Sequence, residues 1–560
     1  MKLNLVVGGA AGQGLKTLNY ILSKTFFRKG FSIYSSKDYM SRVRGGHNFM
    51  SIRIGDEEIT GPTTEEDILL ALNEETIELH QDKLVDDSTI LYDGELEDRR
   101  SVNLSASEIA KEIGNSKVAS TVFIGGVLKI LGLDLAETKE VLDEYFEDEE
   151  IKEINYKALE AGYQEVETDY QLPSVSKTDN QILIDGNQAV GLGAVMAGVQ
   201  FYSAYPMTPS TGVMNYIANQ ENKLGIVVEQ AEDEIAAINM AIGASYSGVR
   251  AMTGTSGGGF ALMNEGLGLA GVAETPLVIA EVQRPGPATG LPTRTEQSDL
   301  SFVINSSQGE FPLVVLAPKD AQDAFHQTFR AFNLAEKYQL PVIILSDQFL
   351  ADSKKNITEF DLDSLTIKRS IMSDEEAEKI EDYKRYQLTE DGISPLAYPG
   401  QLEDEVVVFD SDEHDQEGHI TEDADTRVKM VDKRAKKIEK LIDEDLAEPE
   451  YIGPEKIDYL LVGWGSTYGP LLEAREKLAQ DDCQVGVLSF SDVWPLPTAK
   501  LEEKAENIEL IVVENNSTGQ FSKLIRSETG IKASEKILKY DGRPFTGFEL
   551  YNAIKEEVMF

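Results

Sequence analysis

Between residues 186 and 295, short apolar runs alternate with helical patterns, and the joints between them carry unusual chemistry. Strand-sized runs at 198–204, 249–252, 276–282, 312–316 and 341–345 are separated by helix-length segments. That alternation predicts a parallel sheet covered by helices on both faces. In such sheets ligands collect beyond the carboxyl ends of the strands. Three loops are expected there: Tyr205-Pro-Met-Thr-Pro-Ser-Thr211, Glu232-Asp-Glu-Ile-Ala-Ala237 and Gln283-Arg-Pro-Gly-Pro-Ala-Thr-Gly-Leu-Pro-Thr293. One offers hydroxyls, one a carboxylate heading an apolar helix, and one an arginine among glycines and prolines. Together they suit a carboxylate-bearing substrate held beside an activated cofactor.

At 560 residues the chain is too long for one core, and several α/β domains are expected. Residues 1–172 read as the first. A strand at 3–7 runs into Gly8-Gly-Ala-Ala-Gly-Gln-Gly14 and then a helical stretch at 15–28. Gly9, Gly12, Gln13 and Gly14 form a candidate phosphate-binding turn, though close helix–strand packing explains glycines there equally well. The basic segment Ser41-Arg-Val-Arg-Gly-Gly-His47 suits an anionic ligand or a subunit contact. A Pro/Ser linker at 172–179 leads to the second domain, 180–365. Residues 366–450 form an acidic connector, with an amphipathic helix at 428–440 whose lysines are expected to face solvent. Residues 455–560 return to α/β, with strands at 459–462, 484–489 and 510–514.

With 98 acidic residues against 52 basic ones, the net charge is −46. Such a surface disfavours nucleic acid and anionic lipid. It fits a saline cytoplasm, where screening reduces self-repulsion; a basic docking partner is the other reading. No apolar run is long enough to span a membrane. The chain opens directly on a strand without a signal-peptide pattern, so a cytoplasmic location is expected. One cysteine, Cys483, excludes an intrachain disulfide and a cysteine-ligated cluster. No histidine spacing matches a metal site. His414 and His419 share an acidic loop that would either catch a cation or serve as a solvated connector.

The segments YPMTPST, EDEIAAINMAIGASYSGVRAMTGTSGGG and QRPGPATGLPTRTEQSD, in that order, resemble the catalytic α subunit of the 2-oxoacid:ferredoxin oxidoreductases, which are thiamine-diphosphate enzymes. The N-terminal GGAAGQG…SRVRGGHN region is similar to the family's γ subunit, here fused to α. DEHDQEGHITED…MVDKR resembles the connector of members assigned to 2-oxoglutarate, and the last domain resembles the transketolase-C type. TSGGG and QRPGP stand where TSGPG and QRGGP are commoner, departures that touch loop shape. The resemblance implies a multi-domain α/β fold: a γ-like domain, a thiamine-enzyme domain of the pyrimidine-binding type, and a transketolase-C-like domain.

It also implies roles. Glu234 would hydrogen-bond N1′ of the aminopyrimidine and favour its imino tautomer. Thr208 would hydrogen-bond the 2-oxo acid group, and Arg284 would pair with its carboxylate. Thr255, Ser256 and Gly257 would line the cofactor loop. Arg294 is a candidate second cation for a distal carboxylate, and the Gly9–Gly14 turn a candidate CoA site. Read without the resemblance, Glu234 is one of three acids in a helix's first turn, Thr208 a helix N-cap and Arg284 half of a surface ion pair.

The chain has no GDG-type segment to hold Mg2+ and diphosphate, and no clustered cysteines. The resemblance implies that these lie on a separate β subunit, as in the family, which carries Mg2+ and a [4Fe–4S] cluster, with CoA as acyl acceptor and ferredoxin as electron acceptor. Pyruvate or branched and aromatic 2-oxoacids are alternative substrates. A non-catalytic scaffold subunit and a nucleotide-binding module are the readings from other classes.

Overall fold

The computed structural model describes residues 1–41, 46–167, 171–403 and 405–557. Arg42, Val43, Arg44 and Gly45 of the basic N-terminal segment lie outside them. The chain forms two compact units: Met1–Ile184 with Ser353–Glu359, and Asp185–Asp352 with Phe360–Phe560.

The first unit is built on β1 (Lys2–Ala10), whose central six residues are buried. β1 pairs antiparallel with β3 (His47–Gly55) and parallel with β4 (Glu66–Ala71). Outside β4 lie β5 (Leu84–Tyr92) and β6 (Ser101–Asn103); outside β3 lie β2 (Ser32–Asp38), Lys354–Thr358 and β7 (Gln181–Asp185). The helix Leu15–Arg28 follows the glycine turn. Its buried Leu15, Leu18, Ile21, Leu22 and Phe26 recur at helical spacing, so one face packs onto the sheet.

The second unit holds two sheets. In the first, β8 (Phe201–Ala204), β9 (Val227–Gln230), β10 (Ala251–Thr255), β11 (Leu277–Gln283), β12 (Val314–Leu316) and β13 (Pro341–Asp347) are parallel, in the order β12-β13-β11-β10-β8-β9. Successive residues of β11 and β13 are buried, the signature of strands covered on both faces. Lys354–Thr358, next in the chain, is β14. In the second sheet β16 (Tyr459–Trp464), β17 (Val485–Phe490), β19 (Glu509–Glu514) and β20 (Glu535–Leu538) run parallel, with β15 (Glu450–Ile452) antiparallel at the edge. β18 (Asp492–Trp494) leaves that fold to pair with β12. One continuous core joins Phe260, Met263 and Ile279 to Trp464, Phe490 and Phe521.

The connector departs from expectation. The helix Ala424–Glu444 exists, but Lys433 and Lys437 are 2% and 0% exposed. Both bind the buried carboxylate of Glu274, Lys433 Nζ at 2.6 Å. Part of this lysine face is thus an internal ion cluster rather than a solvated stripe. His414 is buried and lies against Tyr386, ring centroids 3.9 Å apart. Among the described residues no group of acids, cysteines and histidines has a metal-site arrangement, and no helix is long and apolar enough to cross a membrane.

Candidate active site

The carboxyl ends of β8, β9, β10 and β11 carry the groups singled out in the sequence. Three consecutive acids stand at the start of the helix Glu234–Tyr246, and they divide their work. Glu232 is exposed. Asp233 is the N-cap, its carboxylate accepting the Ala236 N–H at 2.7 Å, which satisfies one orphan donor of the first turn. Glu234 is thereby free to turn inward. It is 3% exposed, and its Oε1 is buried without a hydrogen-bond partner. A buried carboxylate oxygen is costly unless something donates to it.

Beside it stands Gly259, in the first turn of the helix Gly257–Val272. A Cβ there would lie 2.1 Å from Thr255 Oγ1 and 2.5 Å from Glu234 Oε1. Glycine thus lets the end of β10 and the Glu234 carboxylate converge. Ser256 precedes this helix in extended conformation, buried, with no partner for its Oγ. Gly257 packs against Asp299, whose Oδ2 would be 2.3 Å from an added Cβ.

The hydroxyl loop is pinned from two sides. Asn187 Nδ2 donates to Pro209 O at 3.0 Å, and Thr255 Oγ1 lies 3.8 Å from Met207 Sδ. Arg284, half-buried after β11, donates through Nη1 to the carbonyl of Thr208. The structure therefore brings Arg284 and Thr208 together. The N-cap of the following helix, Thr211–Ala218, is Ser210, not Thr208. Arg294 lies against the Gly542 turn, where an added Cβ would be 3.2 Å from its own Cβ.

The loop after Arg294 is held by the last sheet. Gln297 is buried; its backbone N–H donates to Asn515 O at 2.7 Å and its side-chain amide to Trp464 O at 2.8 Å. Asn515 N–H and Asn516 Nδ2 return bonds to Gln297 at 3.1 and 3.0 Å. Gly259, Asp299 and Gln297 were not recognised in the sequence as parts of the site. The latter two lie in the quoted TRTEQSD segment, whose density of polar residues was the available signal.

The helix Glu234–Tyr246 is only half buried, although its apolar sequence would suit an enclosed helix. Ile235 is 53% and Met240 41% exposed, and Leu262 on the neighbouring helix is 51% exposed.

Comparison with known proteins gives this geometry a family. The model described as "Pyruvate flavodoxin/ferredoxin oxidoreductase, thiamine diP-bdg" matches residues 192–433, and the one described as "Pyruvate ferredoxin/flavodoxin oxidoreductase" matches 4–165. A 2-oxoacid:ferredoxin oxidoreductase subunit alpha from Sulfolobus sp is 36% identical, over 99% of this chain and 96% of its own. The chain belongs to this family. The 2-oxoglutarate synthase subunit KorA of Methanothermobacter thermautotrophicus is 32% identical, over 67% of this chain and 98% of its own. A solved 2-oxoglutarate:ferredoxin oxidoreductase from Magnetococcus marinus, holding 2-oxoglutarate, coenzyme A and succinyl-CoA, superposes with a TM-score of 0.92 at 34% identity, covering 99% of both chains.

The 192–433 match spans every candidate of the 2-oxoacid oxidoreductase site, from Thr208 to Arg294. The 4–165 match contains the glycine turn. There Gln13 Oε1 accepts the Ala10 N–H at 2.6 Å and its Nε2 donates to Leu72 O at 3.2 Å. Gly9 would clash with that amide if it carried a Cβ, at 2.7 Å. Gly12 and Gly14 have φ of 98° and 83°, and nothing lies within 4 Å of a Cβ at Gly12. The turn is open to one side and braced on the other. Beneath it His47 Nε2 lies 2.9 Å from His80 Nε2, and burial pushes His47 down to about 4.

A narrow cleft lies at the other end of the sheet, lined by Tyr246, Arg250, Leu277, Glu336 and Arg369. Arg250 is fully engaged by Glu336, Asn333 and two carbonyls. This cleft is packing between connector and sheet, remote from the strand ends that carry Glu234 and Arg284.

Proposed function

We propose that this chain is the γ-fused α subunit of a CoA-dependent oxidoreductase that decarboxylates 2-oxoglutarate and passes the electrons to ferredoxin. The observation that carries the reading is the unpartnered buried Glu234 Oε1 beside Gly259, one sheet with Arg284 and Thr208. Thiamine diphosphate fits there, because its pyrimidine ring nitrogen, once protonated, supplies the donor that Glu234 lacks. When bound, that cofactor supplies the nucleophile and electron sink for decarboxylation.

Glu234 holds a proton at the pyrimidine nitrogen, in a place from which water is largely excluded. Arg284 offers a planar fork to the substrate carboxylate, which a lysine would not match. Thr208 positions the oxo end, its carbonyl already tethered to Arg284. Ser256 and Gly257 set the near wall of the cofactor loop. Arg294 would meet the distal carboxylate and favour 2-oxoglutarate over pyruvate. Gly9, Gly12, Gln13 and Gly14 would take CoA phosphate.

A β subunit completes the site with Mg2+ and a [4Fe–4S] cluster. Support for a partner comes from Ile235, Met240 and Leu262, apolar side chains left exposed on the two helices that form the site. Electrons would leave through that partner, since an acidic acceptor is repelled by a chain of charge −46.

The test is to co-express the chain with its β partner, purify the complex anaerobically in high salt, and follow CoA-dependent viologen reduction. 2-Oxoglutarate, pyruvate and a branched 2-oxoacid are compared. Activity should need both chains, be greatest with 2-oxoglutarate, and fall about 10²–10⁴-fold in Glu234→Gln. A complex loaded with thiamine diphosphate that turns over none of the three would make this subunit a scaffold.

A further inference from the structure

Beside Arg284 lies a buried acidic pair that the reading above leaves unused. Glu281 is the one charged residue of β11, in register with Thr255 on β10 and Leu345 on β13. It is fully buried, and no hydroxyl, amide or backbone N–H donates to either carboxyl oxygen. The charged groups around it are Asp299, Asp347 and Arg284; Glu296 is raised by burial and then by the charge of Asp299.

Asp347 is already satisfied, accepting from Leu350 N at 3.0 Å and from Thr295 Oγ1 at 3.2 Å. Asp299 is different. Its backbone is fixed by Gln283, whose Oε1 takes the Asp299 N–H at 3.0 Å. Its carboxylate packs on Gly257, close enough to Glu281 to share a proton.

A charge count follows. Arg284 is a single cation. Glu281 and Asp299, if both ionised, would leave an uncompensated anion in a buried place, which is strongly unfavourable. Burial and the neighbouring Asp299 accordingly hold Glu281 well above the ordinary carboxylate range. Burial also pushes Asp299 up to about 6, against the pull of Glu281 and Arg284. The resting trio is neutral Glu281, anionic Asp299 and cationic Arg284, and the two acids titrate as a unit.

We infer that Glu281 and Asp299 are positioning residues that share one proton while Arg284 is free and take up a second when the substrate carboxylate engages it, coupling substrate binding to proton uptake. The inference rests on the proposed role of Arg284 as carboxylate clamp. The balance is simple: substrate anion and one proton bind together, and no bond to carbon is made or broken. The sign follows from linkage. Protonation favours binding, so affinity is full below the free-enzyme value of Asp299 and falls as pH rises through it. The Michaelis constant for the oxoacid should therefore climb about tenfold per pH unit above that point.

The experiment uses the assembled enzyme with glutarate, a dicarboxylate that lacks the reactive oxo group. Binding is measured by calorimetry at pH 7 in buffers of different ionisation enthalpy, which counts protons directly, and the Michaelis constant for 2-oxoglutarate is followed against pH. Wild type should take up close to one proton per site, Asp299→Asn none, and Asp299→Asn should flatten the pH profile. Glu281→Gln, which keeps a donor toward Asp299, should retain the uptake. Proton-free binding by wild type with a flat profile overturns the inference. If Arg284→Ala instead leaves both glutarate affinity and the Michaelis constant unmoved, it is the clamp itself that fails.

Discussion

An alanine methyl at position 259 would lie inside contact distance of both Thr255 Oγ1 and Glu234 Oε1. Relieving it means moving either the end of β10 or the carboxylate assigned to the cofactor. Gly259→Ala should cost about 1–3 kcal/mol, seen as a lower denaturation midpoint, and should abolish thiamine diphosphate binding in the assembled enzyme. Gly243 is the control, since it is exposed on the neighbouring helix with nothing within 4 Å of an added Cβ. Alanine there should leave the isolated chain as stable or slightly stabilise it. Unchanged cofactor binding in Gly259→Ala would mean that Glu234 and Thr255 do not converge in solution. Of these groups, the sequence offered Glu234 as one of three acids at the start of an apolar helix, and the family resemblance picked it out from the other two. Neither could reveal Gly259 or Glu281, whose importance depends on which strand end faces which helix start.

The helix Ala424–Glu444 shows the same limit at the level of elements. Its helical periodicity was legible, but the burial of Lys433 and Lys437 was not. Their partner lies more than 150 residues earlier, one carboxylate among 98 acidic residues. Removing that partner separates a solvated lysine face from an internal one. Glu274→Gln leaves two buried ammonium groups without an anion and should cost about 3–5 kcal/mol. Replacing Glu274, Lys433 and Lys437 together by apolar residues of similar volume should recover most of the loss. A cost below about 1 kcal/mol for Glu274→Gln would show that the cluster is open to water. The pH dependence has a definite sign. Burial raises the Glu274 carboxyl, but Lys437, Lys433 and Arg385 outweigh it and hold the group well below its usual range. Its contribution is thus complete above the unfolded carboxylate range and is lost progressively as pH falls from that range toward the lower folded-state value.

Over the whole molecule, the alternation of apolar runs with helical patterns was sufficient to expect parallel sheets, and β8, β10, β11, β12, β13, β16, β17 and β19 overlap those runs, whereas β9 and β20 fall outside them. The exchange of edges was not legible. Lys354–Thr358 pairs with β2 and Asp492–Trp494 with β12, short segments whose sequence names no partner. Net charge is the one global property that needs no coordinates. Even with every lysine and arginine paired, 46 carboxylates remain, so self-repulsion works against the compact state. Salt also screens favourable pairs such as Lys24–Glu144 and Lys139–Glu160. Exposed pairs contribute only about 0–1 kcal/mol each, and buried ones such as Arg250–Glu336 are screened little. Repulsion should therefore dominate the response. The denaturation midpoint of the isolated chain should rise steadily with KCl and level off near 1 M, where the Debye length is about 3 Å. Repeating the titration with a neutral osmolyte separates charge screening from general stabilisation. A midpoint that falls with KCl would mean that ion pairs outweigh the excess carboxylates, and the acidic surface would then need a basic partner rather than a saline cytoplasm to account for it.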